Sequence, residues 1–416
     1  MKIMETEDER TILDYLNEDC WRAVLQFVPA KDLIRTERAS RRWQEVLLWY
    51  LKGTGVHIAI AEYHKEDNPS VCRAKRSSYT SFESWTKKLG SLVVDTYCIG
   101  LKSLEIIKEN CPNLETLTLK DVQCKTPKLL LHHNLNDNFK CLQSLKLHSC
   151  NIPDSCMNKF VAEKALQELK FYCCDSLTGL CLKSMDLSNL KLLEINLSKD
   201  FESKHVLPVF DRMSELKTLK VSDVSGEFLE EIQVGLDKMP KLEKLELDDD
   251  ERMRGECGQQ ISRLTELKHL RLAFQMFDED IQAITRCCKE LVTLKLSDCR
   301  SMSRRSVRPI WRNAGARLTE LALRDFDEAK DADIVALIRG CPLLTKLTVT
   351  GSRQLTRRLP ARAAAARRGV APGKVLDLDL SFTNLSSHLC VEDTDADGPH
   401  LDVLGRKYVG LNIICF

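Results

Sequence analysis

Eighteen cysteines and nine histidines are the residues of this 416-residue chain whose types could ligate a metal, form disulfides or act as nucleophiles. Their spacing argues against all three. No C-x-x-C occurs, and the adjacent pairs Cys173–Cys174 and Cys287–Cys288 do not match the spacings that close a tetrahedral zinc site. His132–His133 stands in a polar segment, and the other histidines are scattered. No G-x-x-x-x-G-K-[ST], H-E-x-x-H or G-x-S-x-G run is present. The expectation is a protein with no catalytic residue, no metal and no cofactor. The remaining chemistry is charge. Residues 300–374 hold 17 Lys/Arg against 6 Asp/Glu, in a chain whose net charge is +1. Arg304, Arg305, Arg308 and Arg312, then Arg357, Arg358, Arg362, Arg367 and Arg368, dominate that stretch, and guanidinium groups suit planar carboxylates and phosphates.

With 43% hydrophobic and 30% charged residues, the chain can bury a core and is not disordered by composition. The near-zero net charge excludes a globally basic nucleic-acid binder, and the arginines lack the interleaved aromatics of single-strand binding. Met1–Arg10 carries acidic residues and no apolar stretch, which reads as no secretory leader. The longest apolar run, Val46–Leu51, is too short to cross a bilayer. A cytoplasmic and/or nuclear protein with reduced thiols is expected, with neither membrane nor nucleic acid among its partners.

The elements that position these groups follow from a repeat. An L-x-x-L-x-L pattern, with conservative swaps, has its middle residue at 92, 117, 145, 169, 195, 219, 245, 270, 294, 321, 347 and 378. The copies run from Leu89-Leu92-Val94 to Val375-Leu378-Leu380. All but the last step fall between 24 and 28 residues, the window of leucine-rich repeats. One copy fits two registers, Leu192-Ile195-Leu197 and Leu190-Leu193-Ile195; spacing selects the first. Between copies, Phe228-Leu229-Ile232-Leu236, Ile281-Ile284-Cys288 and Ile334-Leu337-Ile338-Cys341 have helical periodicity. Each unit is therefore expected to be a short strand plus a helix, with parallel strands lining the inside of a horseshoe and stacked neighbours completing one core.

The cysteines fall into this frame. Cys111, Cys288 and Cys341 lie three residues before the first leucine of a copy, a slot that Met213, Met239 and Leu264 fill elsewhere. Cys150, Cys174 and Cys299 lie five residues after the middle leucine, as do Val122, Val224 and Phe326. Both slots read as packing positions for a small apolar group.

Residues 16–52 lie outside the repeat. Asn17 or Asp19 can cap a first helix with Cys20, Val24, Phe27 and Val28 on its apolar face, ending at Pro29. Asp32 can cap a short second helix through Leu33 and Ile34. Ser40 can cap a third, with Trp43, Val46, Leu47, Tyr50 and Leu51 apolar. Three helices in so few residues make a small core that gains from docking on a partner. This block resembles an F-box at Leu16, Val24, Leu25, Phe27, Val28, Asp32, Leu33, Ser40, Arg41 and Trp43. Asn17 replaces the family's usual proline, although the Leu16–Cys20 opening resembles that of some insect F-box proteins. Ala39 replaces a usual valine, and Thr36-Glu37-Arg38 is more polar than the pattern.

The resemblance implies an α/β protein with an N-terminal three-helix F-box and a curved leucine-rich-repeat solenoid, strands concave and helices convex. It implies a non-catalytic substrate-recognition subunit of a cullin-RING ubiquitin ligase of the SCF type. Leu16, Val24, Leu25, Phe27, Leu33 and Trp43 would face a Skp-type adaptor, which links to the cullin and RING subunits, or form the F-box core. The repeats would bind a substrate protein. A ligase-independent repeat scaffold or inhibitor is the alternative. The organisation read from the chain is an N-terminal tail (1–15), the F-box (16–52) and a linker with a first capping strand near Val56, Ile58 and Ile60 (53–80). Repeats (81–390) and an acidic loop with a capping half-repeat (391–416) follow. Leu355–Gly373 is either the outer helix of an enlarged repeat or an insertion. Side chains one past the middle leucine should face the concave surface. Lys146, Lys170, Lys220, Arg271 and Lys295 make that row basic, either to hold an acidic or phosphorylated substrate segment or as a solvated face.

Overall fold

Alternation of leucine with polar residues dictates a half-buried strand, and each copy of the pattern forms one. The computed structural model describes residues 17–26, 28, 39–53, 56–59, 91–95, 111, 113–122, 139–161, 165–248, 257–385 and 411–414. The chain divides into two units, Met1–Glu168 and Leu169–Phe416. In the first, β1 (Val56–Ala59), β2 (Ser91–Asp95), β3 (Thr116–Lys120) and β4 (Ser144–His148) pair in chain order, all parallel. The second begins at Leu169, within β5 (Glu168–Tyr172), which lies beside β6 (Leu192–Asn196). From β6 the ladder continues, parallel throughout, through β7 (Thr218–Ser222), β8 (Lys244–Asp248), β9 (His269–Gln275), β10 (Thr293–Asp298), β11 (Glu320–Leu323), β12 (Lys346–Val349), β13 (Leu376–Asp379) and β14 (Leu411–Ile414). Parallel neighbours in chain order require a crossover between every pair, which is the leucine-rich-repeat architecture.

The N-terminal block contributes α1 (Glu18–Leu25) and α2 (Arg41–Gly53). The longer crossover helices are α3 (Asp154–Val161), α4 (Gly226–Val234), α5 (Asp278–Cys287), α6 (Asp331–Gly340) and α7 (Leu359–Val370). Phe228, Leu229, Ile232, Ile281, Ile284, Ile334, Leu337 and Ile338 are all buried on them, as their periodicity predicts. Helix α7 resolves the Arg/Ala-rich stretch: it is the outer helix of an enlarged final repeat. Other crossovers depart from the strand-plus-helix expectation. Leu180–Ser184 and Leu207–Arg212 are 3₁₀ turns, and Ile310–Ala314 is a π turn. Pro208 has no N–H with which to continue an α ladder, which explains the second of these.

Two expected registers are corrected. Leu193 pairs with Leu219 and Ile195 with Val221, so the copy is Leu190-Leu193-Ile195 rather than Leu192-Ile195-Leu197. All three of its leucine positions are inaccessible, whereas Leu197 is 45% exposed. The outward β6 residue level with Lys220 is therefore Glu194, where the sequence spacing put Asn196. In the last copy Leu376 is buried and Val375 is 52% exposed, so Val375 does not fill the first leucine slot.

The turns after eight of the strands share a signature. Four residues past the middle leucine, Asp121, Ser149, Cys173, Leu197, Asp223, Asp325 and Phe382 all have φ between 49° and 57°, and Gly351 has φ 83°. That left-handed step costs a non-glycine residue roughly 1–2 kcal/mol. It aims the backbone N–H at the neighbouring repeat: Cys173 N donates to Asn196 O (2.9 Å), Leu197 N to Ser222 O (3.1 Å) and Asp223 N to Asp248 O (3.3 Å). The next residue turns inward, and this is the second cysteine slot. Cys150 Sγ donates to Leu119 O (3.4 Å), Cys299 Sγ to Leu296 O (3.7 Å) and Ser198 Oγ to Asn196 O (3.0 Å). All six slot cysteines are buried. Burial pushes the Cys111 thiol up to about 11 and those of Cys288 and Cys341 to about 12. Cys156, Cys181 and Cys257 are buried as well, which the two slots did not anticipate.

Candidate interaction surfaces

The N-terminal helices start where their caps predict. Asn17 Oδ1 accepts from Cys20 N at 2.9 Å, and Ser40 Oγ accepts from Trp43 N at 3.0 Å. Asn17 thus initiates the helix as its N-cap. Trp21 and Leu25 of α1 are buried, as are Val46, Leu47 and Tyr50 of α2. Trp21 and Trp43 meet edge to face with ring centroids 5.7 Å apart, and the Arg22 guanidinium sits 5.3 Å from the Trp49 ring.

This corrects the expected apolar face. Helix α1 has two stripes at helical spacing, and Trp21/Leu25 faces inward. Cys20, Val24 and Val28 face solvent, with Val24 51% exposed. The bulkier stripe buries more area, which decides the orientation. Helix α1 also ends at Leu25, short of Pro29. Among the expected adaptor-facing residues, Leu25 is core, Val24 is surface and Trp43 is half-buried against Trp21. Leu16, Phe27 and Leu33 lie outside the described residues, as do the second helix expected after Asp32 and the segment from Tyr63 to Leu89.

The second surface is the sheet face whose side chains alternate with the buried leucines. In the first unit Lys146 lies 3.9 Å from Glu168. In the second unit Lys170 on β5 reaches Glu194 on β6 at 3.7 Å. Lys220 on β7 lies 3.8 Å from Glu194 and 3.7 Å from Glu246 on β8. Arg271 on β9 pairs with Asp248 at 2.7 Å, and Lys295 on β10 with Glu320 at 3.0 Å. Lys146 in the first unit, and Lys170, Lys220, Arg271 and Lys295 in the second, therefore each stand on the outward side of their strands and are each matched by a carboxylate. What the sequence reading missed is the alternation of sign. At β6 the expected register contributed to this, because it set Asn196 rather than Glu194 level with Lys220.

Glu194, Asn196, Lys220, Ser222, Asp223, Glu246, Asp248 and Arg271 line a cavity of about 300 Å³ on this face. Burial pushes the Tyr172 hydroxyl up, with Glu194 as its hydrogen-bond acceptor adding to the shift. Burial works to raise the Glu246 carboxyl, but the Lys244 hydrogen bond and the charges of Lys220, Lys244 and Arg271 hold it below its ordinary value. The cavity is polar and lined by side chains of both charges. Among the described residues, no helix is long and apolar enough to cross a membrane.

No protein-family model matches the chain, and no curated protein matches it. Solved structures do. A chain in the crystal structure of the Rad7 and Elc1 complex in yeast is 15% identical, with a TM-score of 0.50, over 82% of this chain and 89% of that one. An internalin from Listeria monocytogenes is 14% identical over 66% of this chain and 76% of its own, with a TM-score of 0.42. The leucine-rich-repeat ectodomain of the Arabidopsis thaliana receptor kinase GASSHO1/SCHENGEN3, solved with CASPARIAN STRIP INTEGRITY FACTOR 2, is 16% identical over 74% of this chain and 35% of that one, with a TM-score of 0.40. The chain is a leucine-rich-repeat protein in fold.

Proposed function

We propose that this chain is the substrate-recognition subunit of an SCF-type cullin-RING ubiquitin ligase and carries no catalytic residue of its own. The observation that carries the reading is the pairing of two architectures in one chain. A capped helix pair displays an outward Cys20–Val24–Val28 stripe, and a repeat array presents an ion-paired sheet face. The stripe is the surface that docks on a Skp-type adaptor, and through it on the cullin and RING subunits. The repeat face holds a substrate protein, whose acidic or phosphorylated groups compete with Glu194, Glu246 and Asp248 for Lys170, Lys220 and Arg271. The mechanism is proximity: tethering raises the effective concentration of substrate lysines at the ubiquitin thioester, which another subunit supplies. The similarity to a chain from a complex with a second protein, Elc1, agrees with a repeat protein that works bound to an adaptor. The buried, free thiols of Cys111, Cys288 and Cys341 suit a cytoplasmic or nuclear setting.

The test is reconstitution with adaptor, cullin, RING subunit and conjugating enzyme. Proteins captured by the full chain should gain ubiquitin only when the adaptor is present. Capture and modification should both fall in the double variant Lys220→Glu/Arg271→Glu. Capture without any adaptor-dependent modification would instead favour a ligase-independent scaffold or inhibitor.

A further inference from the structure

Residues 334–376 contain nine Lys/Arg and no Asp/Glu. They run from α6 through β12 and α7 to the start of β13. Arg362 lies 3.5 Å from Asp331 and Lys346 lies 3.7 Å from Glu320, both carboxylates outside the stretch. Arg367 is wholly inaccessible in the last turn of α7. Its Nε donates to Lys374 O (3.3 Å) and its Nη1 to Pro342 O (3.4 Å), so one side chain clasps the exit turn of α6 to the exit turn of α7. Its Nη2 is buried without an acceptor.

The two clasped turns share a surface. Arg339, Arg368 and Lys374 are exposed on them, and none of the three is ion-paired. Leu343 (44%) and Val375 (52%) are exposed beside them. Earlier repeats treat the same edge differently. Four residues before the middle leucine, Lys241 pairs with Glu215 at 2.6 Å and Arg317 with Glu290 at 2.5 Å, each across neighbouring repeats. In the next two repeats that column reads Leu343 and Lys374, and the neutralising carboxylates stop. Cations in a last helical turn complement the helix dipole, which accounts for Arg339 and Arg368 taken singly. It accounts neither for Lys374, which lies beyond α7, nor for two large apolar side chains left in water, nor for the missing carboxylates.

We propose that the exit turns of α6 and α7 form a docking surface for an acidic polypeptide segment with interspersed apolar residues, separate from the sheet face. Carboxylates of the segment meet Arg339, Arg368 and Lys374, and its apolar side chains cover Leu343 and Val375. The buried Arg367 charge, screened by little water and by no counter-ion among the described residues, strengthens the field that attracts it. A nucleic-acid backbone would use the cations but leave the two apolar side chains uncovered.

The full chain, titrated into a fluorescent peptide of about 16 residues rich in Glu and Leu, tests this by anisotropy. Saturable binding should weaken roughly tenfold between about 0.05 and 0.3 M salt. Arg339→Glu/Arg368→Glu/Lys374→Glu should lower affinity at least about tenfold, and Leu343→Ser/Val375→Ser about threefold. The conservative Arg339→Lys/Arg368→Lys variant should keep binding within about twofold, which separates a lost contact from a lost fold. Adaptor binding should be unchanged in every variant. The proposal is overturned if the wild-type chain does not bind the peptide, or if the reversal variant binds as well as the wild type. Equal binding of a Gln-for-Glu peptide, or tighter capture of a DNA duplex or of anionic phospholipid vesicles, would overturn it too.

Discussion

Glu194 on β6 stands 3.8 Å from Lys220 on β7, a carboxylate held between two lysine-bearing strands. It turns a row of cations into a ladder of alternating sign. Each such half-exposed pair adds less than about 1 kcal/mol, so the ladder sets pattern and specificity more than stability. Replacing the carboxylate exposes this arrangement. Glu194→Lys places lysines on three successive strands, and like charges facing across strands should destabilise by about 1 kcal/mol at low salt. Urea titrations at low and at about 1 M salt should show most of that loss disappearing as screening rises. A salt-independent loss would mean a packing defect rather than a charge effect.

The β6 register makes a sharper prediction. Leu193 is inaccessible, so Leu193→Ala should destabilise by about 2–4 kcal/mol. Leu197, 45% exposed in its left-handed turn, should tolerate Ala within about 0.5 kcal/mol. Paired chemical denaturation curves decide this, and the reverse order would restore the Leu192-Ile195-Leu197 frame.

Much of the fold was legible because its signal recurs. The leucine spacing, the helical stripes around Ile281 and Ile334 and the caps at Asn17 and Ser40 each rest on local chemistry that tertiary structure did not override. The misreadings came where local chemistry was degenerate. At β6, apolar residues at 190, 192, 193, 195 and 197 supply two alternations, and only pairing with Leu219 chooses between them. In α1, two apolar stripes compete, and packing of Trp21 on Trp43 chooses. The Glu194 step of the ion-pair ladder depended on that register, so the sequence showed the cations and misplaced one of their partners.

Thiol reactivity separates packing cysteines from exposed ones. The Cys288 and Cys341 thiols, held up to about 12 by burial, carry almost no thiolate near neutral pH. Brief maleimide treatment of the native chain should label the exposed Cys20, Cys141 and Cys287 and spare Cys111, Cys288, Cys299 and Cys341. Peptide mapping by mass spectrometry reads the result. Rapid labelling of Cys288 ahead of its exposed neighbour Cys287 would contradict the buried slot.

Acid should weaken one identifiable bridge. Glu243 accepts from Lys217 at 2.8 Å and Lys268 at 2.7 Å, and those hydrogen bonds hold its carboxyl at about 2. The folded value lies below the ordinary glutamate value of about 4.3, so its contribution is full above that pH and is lost as pH falls towards 2. Glu243→Gln should therefore lower the melting temperature at pH 7 and leave it nearly unchanged near pH 2. An equal deficit at both pH values would show that the carboxylate charge is not the source.

The central claim, that the outward stripe of α1 docks an adaptor, is tested most directly by titrating a purified Skp-type adaptor into the full chain by calorimetry. The wild-type chain should form a one-to-one complex. Val24→Asp, at a position 51% exposed in the free protein, should abolish it or weaken it by about 2 kcal/mol or more while leaving the melting curve intact. An adaptor that fails to bind the wild-type chain, or that binds Val24→Asp equally well, would contradict the account.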